Sequence, residues 1–492
     1  MRAKLNQNES AIIQERLFSQ RLTFFWIASC LLFLYVFITA TSSNLLIWLG
    51  ASLIIITALI PTYLWCSSND LGLPILPIAA LTFLPTHAFP LLNEHRQIRS
   101  YSDLSQFIAA GTVAGFLILA TASWYFTVTR LKVNPGSYIA FGENPRSYTV
   151  LWTALTLFAA FTIADPAGWI NLDGGTFAIV RAITGSTGIF SLFALYYRWG
   201  QGKLDSKSKL YLVILSGFIL TSSIVGLLLY RGAAYFLTAN IGYFLGSRRL
   251  PIKTLAVGLA LFSFLQLGKA AMRGAHSDRL VQPWDYPAWF SEWAELSLQP
   301  LISSKAEGEK QEDSATISDR TGLIHLLLLT QSQTPENRPF LLGYTYEPVP
   351  ELLVPRIFDP GKIWANEGTF RLNIYYGKQT RDSVYKTTIG WGLLAEAYAN
   401  FGFVGCGMLG CILGSFYGWT ASWARNTPLL SARSLFSILI LLSTLTTEYC
   451  ATSYISTLFQ SSASLWLFSV LLMEKFQPDK RQVSTMSPSG VL

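Results

Sequence analysis

Between Gly343 and Arg371 the sequence reads GYTYEPVPELLVPRIFDPGKIWANEGTFR, an irregular stretch dense in residues that do chemistry. Tyr344, Tyr346 and Trp364 offer ring faces, Arg356, Lys362 and Arg371 offer cations, and prolines stiffen the backbone among them. Rings stack on sugar faces, guanidinium forks grip phosphate oxygens, and proline lowers the entropy lost on ordering. Together they suit a sugar attached to a phosphate.

Other residues are candidates to complete such a site. Glu396, in TIGWGLLAEAYANFGFVG, is a carboxylate at the start of an apolar run. It reads either as a general base toward a hydroxyl or as a local cap or pairing partner. Arg231, in SIVGLLLYRGAAYF, is either a fixed cation at the outer mouth of a helix bundle or a snorkelling interfacial arginine. Arg181, in TFAIVRAITGSTGIF, sits deeper; a buried arginine in a span needs a polar cavity or a partner such as Glu448. Arg273, beside His276 in KAAMRGAHSDR, is a supporting cation or a solvated helix exit. Arg356 is held between Pro355 and Pro360, which suits an anion site, with a salt bridge to Asp359 or Glu351 as the alternative. His325, in GLIHLLLLT, reads as a satisfied helix histidine rather than a catalyst.

The elements that must position these residues are membrane helices. Of 492 residues, 51% are hydrophobic and 13% charged, and the mean hydropathy is +0.38. The hydrophobic residues come in blocks of about twenty, long enough to cross roughly 30 Å of hydrocarbon as a helix. The expected fold is all-α, a polytopic bundle of about twelve spans. They run roughly over 22–41, 44–65, 71–92, 104–128, 149–165, 175–197, 210–230, 232–246, 254–270, 390–422, 433–450 and 454–473. The first reads as an uncleaved signal anchor.

Lys and Arg concentrate in alternate short loops, which predicts both termini in the cytoplasm and residues 271–387 outside. This bias also accounts for the net charge of +8 without a nucleic-acid partner. The expected organisation is a nine-span bundle over 1–270, an extracytoplasmic subdomain over 271–387, further spans over 388–475 and a cytoplasmic tail over 476–492. Within the subdomain, the aromatics of WDYPAWFSEWAEL would rest at the membrane interface, 303–319 would be flexible, and RTGLIHLLLLTQ would form an amphipathic or partly buried helix. The five cysteines lie in or beside apolar segments and indicate neither a disulfide framework nor a thiolate metal site. The sequence has no phosphate-binding loop of the Walker type, no HExxH and no paired-Asp metal motif, so metal-independent chemistry without a cofactor is expected.

RTGLIHLLLL from Arg320, Thr334-Pro335, PFLLGYTY, VPR and the following Lys362 resemble the Wzy-like family of O-antigen and exopolysaccharide repeat-unit polymerases. AEAYANFGFVG, the YRG at Arg231 and GLPILP at 72–77 fit the same resemblance. It implies a metal-independent glycosyltransferase with a membrane-embedded fold of the GT-C kind, located in the cytoplasmic (inner) membrane. Its donor would be a growing glycan on polyprenyl (undecaprenyl) diphosphate, its acceptor one lipid-linked repeat unit, and a chain-length regulator protein is a candidate partner. In that reading Arg231 and Arg356 stabilise the leaving diphosphate and Glu396 is the base. Lys362, Arg273, Arg371, Arg181, Tyr344, Tyr346 and Trp364 bind substrate. Retention or inversion at the sugar is left open.

Two other functions fit parts of the sequence. An O-antigen ligase-like enzyme would use the same donor with a different acceptor. A lipid-linked oligosaccharide flippase would share the span count but needs polar residues along a transmembrane path, where this chain has little beyond Arg181 and Glu448.

Overall fold

The computed structural model describes residues 2–68, 71–131, 137–142, 145–172, 174–227, 229–276, 279–303, 322–355, 358, 359, 361–385 and 388–476. Among them the chain is all-α apart from two three-residue strands. Its helices in chain order are α1 (Arg2–Thr39), α2 (Leu45–Cys66), α3 (Ile75–Leu92), α4 (Asp103–Arg130), α5 (Pro145–Ala164), α6 (Gly174–Gly200), α7 (Ser206–Val225) and α8 (Leu229–Ser247). They continue with α9 (Ile252–His276), α10 (Tyr286–Ser303), α11 (Ile324–Gln333), α12 (Val349–Leu352), α13 (Glu367–Tyr375), α14 (Leu393–Ala424), α15 (Ala432–Ser443) and α16 (Ala451–Leu472).

Nine of these, counted among the described residues, are long and apolar enough to cross a membrane: α1 from Gln20, α2 to α5, α6 from Ile179, α7, α9 and α14. Three expected spans are helical but not among the nine. α8 carries Arg231, Thr238 and Asn240 within its 19 residues, α15 has only 12, and α16 is the third.

The chain folds as two compact units. The first comprises Met1–Ile139, Ala315–Ser462 and Lys475–Val491. Its centre is the packing of α4 on α14, made close by glycines on α14. A Cβ on Gly410 would stand 2.7 Å from the Phe116 carbonyl oxygen, so only glycine permits this approach of two apolar helices. α4 begins at Ser102, whose hydroxyl accepts the Ser105 N–H, and α2 packs on its other side.

Of the two readings of its stretch, amphipathic or partly buried, α11 follows the second. Leu326, Leu327, Leu328 and Leu329 are all buried, while Ser332 in the last turn is exposed. The Thr86 carbonyl receives the Leu323 N–H at one end, and Gln331 Nε2 donates to Thr112 Oγ1 near the other.

The second unit comprises Ala140–Ser314 with Ala463–Glu474. Here α10 folds back on α9. Trp289 and Trp293, four residues apart and so on one helix face, are buried, and Trp293 Nε1 donates to the Leu265 carbonyl at 2.8 Å. Among the aromatics of this stretch, expected at a membrane interface, Trp289 and Trp293 pack inside the protein and only Trp284, ahead of the helix, is strongly exposed. Residues 271–387, expected as one subdomain, contribute to both units, with 279–303 in the second and 322–385 in the first.

Candidate functional site: a strapped break in a membrane helix

α14 is not one continuous helix. At Gly402 the backbone turns to φ 62°, ψ −147°, a conformation open to glycine and strained for any other residue. A short segment, 393–401, therefore precedes the break and a longer one follows it. The loop over 340–346 lies across this break. The Ala399 and Asn400 carbonyls accept the Leu341 and Leu342 N–H groups at 3.0 and 3.2 Å, and Phe340 Cζ would be 3.0 Å from a Cβ on Gly402.

Asn400 makes the strap specific. Its Oδ1 accepts the Gly343 N–H at 2.9 Å, and its Nδ2 donates to Thr345 Oγ1 and to the Glu396 carbonyl, both at 2.8 Å. Tyr346 stacks on Phe401 with ring centroids 6.2 Å apart. Burial first, then the nearby Glu396 carboxyl, pushes the Tyr346 hydroxyl up, so it stays protonated.

Glu396 is fully buried beneath the strap. Its Oε2 accepts the Ala451 N–H at 2.6 Å, which ties the first segment of α14 to the start of α16. Its Oε1 is buried and makes no hydrogen bond of good geometry, and the Thr345 hydroxyl, whose oxygen accepts from Asn400, interacts with the same carboxyl. A carboxyl this deeply buried, with one short backbone donor and one hydroxyl neighbour, is unusual in a protein interior.

The neighbouring residues form one polar surround. Gly368 N–H donates to Thr452 Oγ1, and the single hydrogen of Ser453 Oγ is shared between Asn366 Oδ1 at 2.8 Å and the Ala365 carbonyl at 3.1 Å, so α16 also holds the turn into α13. Asn373 on α13 accepts the Trp391 indole N–H at 2.8 Å.

The first unit thus gathers Tyr344, Tyr346, Lys362, Trp364, Arg371 and Glu396 on the strap, on α13 and on the broken helix. Two of the cations serve the protein's own backbone. Arg371 donates through NH1 to the Tyr344 carbonyl and to Glu347 Oε2 at 2.6 and 2.7 Å, and through Nε to Glu367 Oε1 at 3.3 Å. Its guanidinium carbon also stands 4.1 Å from the Tyr344 ring centroid. Lys362 Nζ donates to the Leu352 and Val354 carbonyls, closing the C-terminal end of α12. The rings of Tyr344 and Trp364 are 50% and 61% exposed, so the aromatic surface faces outward while the cations hold it in shape. Arg356 lies outside the described residues.

Arg231, Arg273 and Arg181 belong to the second unit. Arg231 Nε donates to the Tyr230 hydroxyl at 3.4 Å, and Asp165 lies within electrostatic reach. Arg273 donates to the Leu227 carbonyl at 3.2 Å, and His276 pairs with Glu292 at 2.6 Å instead of closing a solvated exit alone. Arg181, expected to be buried, is exposed with its guanidinium 5.6 Å from the Phe177 ring centroid. That contact, one turn along α6 and inside its apolar stretch, is a cation–π pairing.

Asn400 and Thr345 were not singled out by sequence. The available signal was spacing: Asn400 is four residues after Glu396, which puts it on the same helix face. Among the described residues no group of three or more His, Cys, Asp or Glu side chains is arranged to hold a metal.

These features define the class: an all-α, multi-pass membrane protein with a helix broken and strapped at a buried carboxylate. The chain matches no protein-family model, no curated protein and no solved structure.

Proposed function

We propose that the protein polymerises polyprenyl-diphosphate-linked oligosaccharide repeat units into O-antigen or exopolysaccharide, as its resemblance to the Wzy-like polymerases implies. The observation that supports this reading is the strap. The strap, which carries the half-exposed Tyr344, is pinned over the buried carboxyl of Glu396, and the exposed Trp364 stands on the turn that Ser453 holds.

In this reading the exposed rings stack on the glycan. A hydroxyl of the incoming unit attacks the anomeric carbon of the growing chain, and the bond from that carbon to the diphosphate oxygen breaks. The hydroxyl proton passes to Glu396, and polyprenyl diphosphate leaves with the bonding electron pair. Glu396 is sealed in the structure, so it acts as base only when the strap lifts from the Gly402 break; with the strap down it is a tether. Arg371 and Lys362 shape the stacking surface, while Arg356 and Arg231 are proposed to meet the diphosphate. No metal or cofactor takes part.

The same reading has about twelve spans, both termini in the cytoplasm and the strap at the outer face of the cytoplasmic membrane. Membrane-impermeant labelling of single cysteines placed in 303–319 tests that orientation: labelling of intact cells is expected, and protection would reverse it. The activity is tested by the length of surface glycan in cells lacking the protein, where single repeat units are expected in place of long chains.

A further inference from the structure

A second feature of the first unit lies at the end of α14 opposite the strap. At about 1.5 Å per residue, the segment from Gly402 to Ala424 is roughly 30 Å long, the thickness of a bilayer's hydrocarbon core. A span whose break stands at one interface therefore ends at the other, at the depth of the lipid headgroups. Three arginines lie at that end: Arg130 closes α4, Arg425 follows α14 and Arg433 is in the first turn of α15.

Arginines at span ends commonly snorkel into water. Arg425 and Arg433 instead turn back onto the protein. Arg425 NH2 donates to the Val128 carbonyl at 2.9 Å, and Arg433 NH2 donates to the Ser137 carbonyl at 3.2 Å. The Arg433 guanidinium carbon also stands 5.4 Å from the Trp423 ring centroid, a cation–π contact. Trp423 stacks on Trp419 with centroids 5.5 Å apart and meets Phe436 edge-on at 5.8 Å, so the guanidinium lies on a wall of rings. The turn between α14 and α15 is locked: Ser431 Oγ accepts the Ser434 N–H at 3.2 Å, and Ser434 Oγ is 3.0 Å from Thr427 Oγ1.

One donor is left over. Arg433 NH1 is buried and makes no hydrogen bond among the described residues. The charge is also unanswered on these elements. From 104 to 142 and from 397 to 447 the sequence holds four Lys or Arg residues and no Asp or Glu. The N-terminal end of α15, where Arg433 sits, adds a partial positive charge of its own. A neutral acceptor would satisfy the spare N–H and leave the charge. A phosphate, with several oxygens on one anion, answers both and matches the planar fork of a guanidinium.

We infer that Arg433, on the face of Trp423 and with Arg425 two residues beyond that ring, binds the phosphate of an anionic phospholipid headgroup. The Arg433 side chain is half-buried and its bond to Ser137 is long, so a turn of the guanidinium on the ring brings NH1 to the phosphate. Trp419, 42% exposed, continues the same wall and would meet an acyl chain. The inference uses the membrane spans and not the polymerase reading.

The test is native mass spectrometry of the full-length protein with phosphatidylglycerol or phosphatidylcholine added in detergent. Wild type is expected to hold phosphatidylglycerol about tenfold more tightly than phosphatidylcholine. Arg433→Gln should abolish most of that preference, and Arg433→Lys, which keeps the charge and loses the fork, should lower it several-fold. Arg425→Gln should also lower it, which keeps the test decisive if the Arg433 variants misfold. Lys207→Gln removes a charge from the exposed first turn of α7 and should leave the preference unchanged. Inorganic phosphate should not displace the lipid. Equal retention of the two lipids by wild type, an equal loss in Lys207→Gln and Arg433→Gln, or displacement by inorganic phosphate overturns the inference: the first leaves no anion site, the second only diffuse attraction, the third a site for a soluble anion.

Discussion

Asn400 Oδ1 accepts the Gly343 N–H at 2.9 Å, and this bond joins the aromatic strap to the helix that carries Glu396. Asn400 is fully buried, so its amide has no water to fall back on. Asn400→Ala leaves the Gly343 amide and the Thr345 hydroxyl without this partner. A loss of roughly 1–3 kcal/mol per stranded buried group is expected. Thermal unfolding should fall accordingly, and hydrogen exchange at Gly343 should quicken more than exchange in α4. Equal protection at Gly343 in both proteins would show that Asn400 does not hold the strap.

The break in α14 gives a second prediction. Gly402 has φ 62°, ψ −147°, and an added Cβ would meet Phe340 Cζ at 3.0 Å. Gly402→Ala should cost roughly 1–3 kcal/mol in backbone strain alone. Because the backbone is the larger problem, trimming the ring with Phe340→Leu in the same protein should restore little of the lost thermal stability. Full restoration would mean that the steric contact, and not the dihedral, fixes glycine there.

Arg371 and its carboxylates differ in expected effect. Glu347 is 67% exposed on its side chain, so its ion pair is largely screened. Glu347→Gln should therefore leave glycan length near normal. Arg371→Lys removes the fork that binds the Tyr344 carbonyl and Glu367 together and should shorten the glycan clearly at equal protein level. If both variants behave alike, the fork does not set the position of Tyr344.

His325 sets an acid limit. Burial, followed by the charges of His95 and Lys378, depresses its imidazole to about 4. In the unfolded chain the same group titrates near ~6.5, so on acidification the unfolded state takes up the proton first. Its contribution is full above about 6.5 and is lost as pH falls toward about 4. His325→Phe should flatten the fall of melting temperature across that window; an unchanged slope would assign the acid sensitivity elsewhere.

Much of the helical framework was legible because apolar runs of about twenty residues admit few other structures. Glu396 was legible for a related reason: a carboxylate in such a run stands out. The roles of Lys362 and Arg371 were not. As sequence they read as grips for phosphate, but the carbonyls of Leu352, Val354 and Tyr344 lack ladder partners, and only the folded loop shows that these cations satisfy them. Trp289 and Trp293 misled in the opposite direction. Their stretch reads as an interfacial belt, yet their four-residue spacing lets both enter the contact of α10 with α9. Asn400 was missed because a single amide among AYANFG has no pattern of its own until Gly343 and Thr345 are brought to it.

The most direct test of the central claim is the length distribution of surface glycan in cells from which the protein has been deleted, with and without the wild-type chain restored. The polymerase reading predicts lipid-linked single repeats reaching the surface in place of long chains, with long chains returning on complementation. Long chains made without the protein would contradict it, as would loss of all surface glycan with unpolymerised repeats trapped inside.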